Sequence, residues 1–508
     1  MAEEIPGGEE RGPLNRVRAL VPPAVLEWPH LTVVSLCVFF AAITFILYWY
    51  LGPQSTAFPH HVNQAYAVLH GHLDIRPEQA VNFNTLEKAI YDGKYYLQWP
   101  AGPAIILLPG VVVWGLELNE TLVSVVLAAL TAPLVFLVVR SQVMRLNAQV
   151  WLTVLFMFGT MFWWLASDGG AWFFAQTAAT LFMFGALYAA LVRKDLFLTG
   201  FCIGAAYLCR QSVILAYPFF LIMLMDNLVP PDWRSKPLLQ KVQWEPLLRL
   251  GSGTAIFLAF SFVWNFARFD NPLESGYSYS EQVHQEGLKW LYNHGLFHPS
   301  YLQRHPPIVF EGMPIFSDSG SYLWPSRAGQ AIWATTPAFM AALFVGIKDR
   351  RVIIAGAVGL AVMALVTITR PAAGVWLDWD WWARQDFNWG WRVLPGLHMW
   401  PLYFMIALAI ASAVRTRDKL AIACWSAVVP IALTNFSFAA NGYSQYGYRY
   451  AVDFYPFLFL LVVHAARDRL HWSLMALIGV SVLINIWAVL WIHQFELHHT
   501  WGWTWFSF

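Results

Sequence analysis

The stretch LTVVSLCVFFAAITFILYWYLGPQSTAFPHH, Leu31 to His61, opens with twenty-one residues that carry no charge. About 20 apolar residues at 1.5 Å rise each cross the hydrocarbon core of a bilayer, so Leu31–Leu51 reads as a transmembrane helix. The residues before it mix Glu with Arg, too long and too acidic for the short basic start of a signal peptide. The run is therefore expected to remain as an anchor, with 1–30 as a flexible cytoplasmic tail. The whole chain agrees: of 508 residues 58% are hydrophobic and 12% charged, against roughly a quarter charged in soluble proteins. An all-α polytopic membrane protein is the expectation. A net charge of +1 supplies no global field, which leaves nucleic acid nothing to recognise.

Working outward, further apolar runs begin near Thr121, Ala148, Trp172, Leu196, Ser212, Leu250, Ala331, Val352, Leu397, Leu420, Val452 and Trp472. Together they predict about thirteen transmembrane helices between 31 and 493. Gly102–Leu118 is shorter and broken by Pro109 and Gly110, and reads as a helix lying at the interface. With the N-terminus inside, the short inner segments collect most of the 31 basic residues, as the positive-inside rule requires. The outer face then holds the long loops: 52–118 with its interfacial helices, 268–329, the Trp-rich 371–396, and an outer tail 494–508. Function is expected there, because loops on a rigid scaffold carry it.

FPHHVNQAYAVLHGHLDI, Phe58 to Ile75, gathers His60, His61, His70 and His72. It shows neither H-E-x-x-H nor an i, i+4 histidine pair, so ligand spacing does not support a metal and no cofactor is assigned. Val62–Leu69 reads as a short interfacial helix with the histidines as its polar ends. Cys37, Cys202, Cys209 and Cys424 lie in apolar runs and read as buried small hydrophobes.

Ionisable residues at the outer ends of spans are functional candidates, because charge at membrane depth is costly. Asp168, in SDGG, is either a turn residue or a catalytic acid. Arg210 either snorkels to headgroups or binds a phosphate. Arg449 and Asp453, at i and i+4, read as an internal ion pair or as a phosphate fork with its orienting acid. VWLDWDWWARQDFNWGWR, 375–392, suits interfacial anchoring and sugar stacking alike. No Walker or dinucleotide motif is present, which weighs against nucleotide-driven chemistry.

Several of these segments, HHVNQAYAVLHGHLDI, YDGKYYLQWPAGPAIILLP, SDGGAWFFAQTAATLFMFGALY, AAYLCRQSVILAYPFF, FVWNFARFDNPLESGYS and YGYRYAVDFYPFLFLL, resemble in order the C-type glycosyltransferase superfamily. That group includes the protein O-mannosyltransferases and the lipid A aminoarabinose transferases. The resemblance implies a membrane enzyme, in a bacterial inner membrane, that moves a sugar from a polyprenyl-phosphate carrier to a lipid, glycan or protein acceptor. A first-loop carboxylate would act as general base while cations hold the departing phosphate. It further implies catalytic roles for Asp74 and Asp168 and substrate or phosphate contacts for Lys94, Tyr95, Tyr96, Arg210 and Arg449. The chain departs from the pattern in having no acid between the first span and Asp74, and Gln98-Trp99-Pro100 where relatives often carry a lysine before a proline pair. A non-catalytic lipid-binding or lipid-flipping protein on the same scaffold is the alternative.

Overall fold

The computed structural model describes residues 30–85, 87–228, 242–285, 289, 291–316, 323–326, 329–369, 395–442, 445–467 and 469–494. Residues 1–29 of the expected cytoplasmic tail, most of the Trp-rich loop 371–396 and nearly all of the tail 494–508 lie outside them. Helices dominate. Among the described residues, eight are long and apolar enough to cross a membrane: Thr32–Leu51, Glu120–Gln142, Ala171–Arg193, Trp244–Phe269, Arg350–Thr369, Leu397–Thr416, Lys419–Phe436 and Trp472–His493. Leu146–Phe158 and Phe162–Asp168, bent by 49° at their junction, make a ninth if taken as one span.

The count falls short of thirteen for local reasons. The run near Ala331 breaks at Pro337 into Ile332–Thr335 and a 3-10 helix, Pro337–Phe344, since proline has no N–H to continue an α-helix. The run near Ser212 starts as a 3-10 helix, Gln211–Ala216, before Tyr217–Met223. Leu196–Cys209 and Tyr455–Ala465 are α-helical over 14 and 11 residues, less than a span needs on its own. Polar side chains fix several starts: Asn119, Asp195 and Asp418 each accept the backbone N–H three residues on, as N-caps do.

Tyr455–Ala465 lies deep in the bundle, with every residue from Tyr455 to Val463 buried. Phe459 packs 5.2 Å from Phe156, which lies 4.6 Å from Phe184, and Phe457 lies 5.0 Å from Phe219. The flanks show the opposite pattern. Val38, Phe39, Val263, Phe266, Val358 and Leu365 are exposed, apolar faces that lipid covers and water would penalise.

Residues 52–118, expected as the first outer loop, are not purely helical. A helix, His60–Leu69, forms where Val62–Leu69 was expected to be helical, and Lys88–Tyr91 pairs antiparallel with Lys94–Leu97 around an Asp92-Gly93 turn. The helix is pinned to the scaffold by Glu120, whose Oε2 accepts the Val62 N–H at 3.3 Å. His60 and His61, expected at headgroup height, are instead fully buried, whereas His70 is exposed.

Leu196–Cys209 is placed by glycine. A Cβ on Gly200 would stand 1.9 Å from the Leu250 carbonyl oxygen, and one on Gly253 would stand 2.4 Å from the Phe201 nitrogen. Thr254 Oγ1 donates to the Gly200 carbonyl at 2.9 Å across the same contact. Two backbones touch here, as small residues permit in membrane helix pairs. Gly200→Ala forces the helices apart and is expected to cost about 1–3 kcal/mol, read as a lower melting temperature in detergent; an unchanged melt contradicts the contact.

Candidate functional site

Four segments converge at one end of the bundle. Phe162–Asp168 closes on Gly169, which has φ 63° and packs so tightly that a Cβ would lie 2.8 Å from Thr121 Cα. A left-handed turn in contact with backbone leaves only glycine. Asp168 Oδ1 accepts the Gly170 N–H at 3.2 Å, so the turn reading of Asp168 is correct as far as it goes. The next helix, Ala171–Tyr188, begins with Trp172 and Phe173 at the site.

Arg449 opens the 3-10 helix Arg449–Asp453. Its backbone is held on both sides: its N–H donates to Gln445 Oε1 at 2.9 Å, and its carbonyl accepts from Gln176 Nε2 at 2.8 Å. The guanidinium carbon lies 5.4 Å from the Trp172 ring, 5.5 Å from Phe173 and 5.2 Å from Tyr450. Among the described residues this guanidinium makes no hydrogen bond or ion pair, and its Nε is buried without a partner. Cation–π contact stabilises such a group by about 2 kcal/mol when desolvated, yet leaves its N–H donors unused. Asp168 and Tyr277 lie within its electrostatic range.

Arg210 has the opposite fate. Its Nε and Nη2 donate to Asp453 Oδ1 and Oδ2 at 3.2 and 2.7 Å, and Ser212 Oγ and Asn435 Nδ2 complete Asp453 at 2.8 and 3.2 Å. The expected i, i+4 pair of Arg449 with Asp453 does not form. A 3-10 helix places i+3, not i+4, above residue i, which turns Asp453 toward Arg210. Arg210 also lies 5.4 Å from the Tyr450 ring, so one tyrosine separates a paired arginine from a free one.

The other expected residues collect elsewhere. Lys94 is exposed at the hairpin turn, Tyr95 meets Phe83 at 5.2 Å, and Tyr96 meets Phe269 at 5.2 Å. Asp74 lies 3.7 Å from Arg76 and in electrostatic range of Tyr96. The structure thus brings Asp168, Arg210 and Arg449 together and gathers Asp74, Lys94, Tyr95 and Tyr96 along the hairpin.

Sequence reasoning passed over Glu87, Lys88, Tyr277 and Tyr292. His60 Nε2 and Glu87 Oε2 are 2.7 Å apart, and Lys88 is fully buried beside them. The one available signal was the Glu87-Lys88 charge pair inside an otherwise neutral stretch of a loop. Burial pushes Tyr277 up to about 12, with Arg210 and Arg449 pulling it back. Among the described residues no group of three or more His, Cys, Asp or Glu side chains is arranged to hold a metal ion. No family model, curated protein or solved structure matches the chain.

Two predictions follow from charge burial. Asp453→Ala strands Arg210 and is expected to destabilise the fold by about 3–5 kcal/mol, measured by thermal melting. Burial also drives His61 from 6.5 down to about 3 and lowers His60, despite the Glu87 hydrogen bond. The unfolded loop therefore takes up protons before the folded one, and stability present above about pH 6.5 is lost as pH falls toward 3. Lys88, lowered by burial from 10.5 to about 8, acts in the same direction between those values. Amide exchange in His60–Leu69, corrected for intrinsic rate, is expected to be faster at pH 4 than at pH 7; equal protection contradicts it.

Proposed function

We propose that the chain is a membrane glycosyltransferase that moves a sugar from a polyprenyl-phosphate carrier to a hydroxyl on the outer side of the membrane. The observation that supports this most is Arg449: a caged guanidinium with unused donors, at the outer end of the bundle, with the Asp168 carboxylate in range. A permanently charged planar fork suits a phosphate monoester or diester. As the sugar leaves, charge grows on the phosphate oxygen, and a cation already in position lowers that barrier. Aromatic faces at Trp99, Trp172 and Tyr277 suit the C–H faces of a sugar ring, and Asp168 is among the carboxylates available to take the acceptor proton.

The alternative, a lipid-binding or lipid-flipping protein without chemistry, draws support from Asp74, the first acid of the loop, which is engaged by Arg76. The two readings share the phosphate and differ in turnover. Purified protein in nanodiscs is to be tested with polyprenyl-phosphate hexoses and pentoses as donors and octyl glucoside as acceptor. Donor binding is expected to weaken at least about tenfold in Arg449→Ala, one lost charge-assisted contact, and wild type is expected to consume donor. Arg449-dependent binding without consumption favours the alternative; binding indifferent to Arg449 removes the basis of both.

A further inference from the structure

Unpaired cations gather at the end of the bundle away from Arg449. One helix distinguishes the two ends: Asn435, near the close of Lys419–Phe436, donates to Asp453 at 3.2 Å, whereas Asp418, which caps its start, meets His464 at 2.6 Å. The 18 residues of that helix put these ends roughly 25 Å apart. Beside Asp418 the helix Trp400–Thr416 runs out into Arg415 and Arg417, and it packs antiparallel against Arg350–Thr369. Three close approaches set the register. A Cβ on Gly359 would lie 3.2 Å from Pro401 Cβ, one on Gly356 2.7 Å from Met405 Sδ, and one on Gly346 3.0 Å from Ser412 Oγ. Lys348, Arg350 and Arg351 therefore reach the same end as Arg415 and Arg417.

All five of these side chains are exposed, and among the described residues none makes a hydrogen bond or an ion pair. The neighbouring acids are engaged otherwise. Asp349 Oδ1 accepts the Arg351 N–H at 2.8 Å, Asp418 is held by His464 and by the Ala421 N–H, and Asp226 pairs with Lys419 at 2.9 Å. Arg350 and Arg351 also open a 20-residue helix with no acid in its first turn, where positive charge opposes the helix dipole. An excess of basic residues on one side of a membrane requires neither the adjacency of two loops nor cations set against a dipole. A phosphate answers both, since it neutralises the cluster and is favoured at a helix start. Further along the same two helices Ile354, Val358 and Val414 are exposed.

We propose that this cluster binds the phosphate headgroup of an anionic phospholipid, with the acyl chains along Ile354, Val358 and Val414. Guanidinium forks suit phosphate oxygens, and basic groups between membrane helices attract anionic headgroups. The occupant is a lipid rather than a free anion because charge passes directly into apolar surface: Ile354 is one helical turn from Arg350, and Val414 precedes Arg415. One headgroup thereby joins the start of Arg350–Thr369 to the end of Trp400–Thr416. The site is independent of glycosyl transfer and leaves Arg449 untouched.

The test titrates the full chain in dodecyl maltoside with phosphatidylglycerol or phosphatidylcholine and counts lipid-bound species by native mass spectrometry. Phosphatidylglycerol is expected to bind at least about tenfold more tightly than phosphatidylcholine. Arg350→Gln with Arg351→Gln, and separately Arg415→Gln with Arg417→Gln, are each expected to weaken its binding about tenfold or more. Arg193→Gln with Lys194→Gln removes equal charge elsewhere at the same end and is expected to change it less than about twofold. If a paired variant does not fold, Arg351→Gln and Arg417→Gln singly decide: weakened binding supports the site, and wild-type binding overturns it. Equal binding of the two lipids overturns it, as does an equal loss in the Arg193 and Lys194 pair, which reduces the effect to diffuse charge. Full displacement of the lipid by equimolar inorganic phosphate overturns the choice of lipid as occupant.

Discussion

The Asp453 carboxylate is the contact on which the site end of the bundle depends. A buried ionised acid costs several kcal/mol unless every lone pair finds a partner. Here Arg210 supplies two donors, Ser212 one and Asn435 one. These come from two separate parts of the chain and Asp453 lies on a third, so satisfying one charge fixes the end of Leu196–Cys209, the 3-10 turn after it, the helix Lys419–Phe436 and the entry to Tyr455–Ala465. The same bond set decides which arginine is free. Two guanidinium groups flank the Tyr450 ring, and Asp453 neutralises only one of them.

Much of the helical layout was legible because hydrocarbon thickness imposes a length on sequence. His30–Leu51, Glu120–Gln142 and Trp472–His493 follow from uninterrupted apolar runs. Where the prediction overran, as near Ala331 and Ser212, hydropathy is blind to backbone geometry: proline and 3-10 winding shorten an α-helix without changing how apolar it is. The hairpin Lys88–Leu97 was hidden for a different reason. Its Asp92-Gly93 turn is a hairpin signal, but the short strands flanking it carry lysines and tyrosines that read as an ordinary polar loop.

The candidate site was half visible. Asp168, Arg210 and Arg449 stood out because charge is rare in membrane segments. Which of them pair is a matter of tertiary geometry, and the i, i+4 rule that joined Arg449 to Asp453 applies only to α-helices. Glu87 and His60 are 27 residues apart, and nothing in local spacing connects a loop acid to a histidine at a helix start. His60 and His61 were misread because a helix between a span and a polar loop normally lies on the interface; here Glu120 draws its N-terminus inward and the aromatic cluster closes over it.

The backbone grip on Arg449 has a thermodynamic consequence. An arginine side chain loses about 2 kcal/mol of rotamer entropy when it is immobilised, and a flexible surface arginine loses it at the moment of encounter. Between Gln445, Gln176 and three aromatic rings, Arg449 is ordered as the protein folds. On the proposed phosphate-binding role, its disorder is gone before the anion arrives, so the free energy of contact goes into affinity and orientation rather than into stilling the side chain.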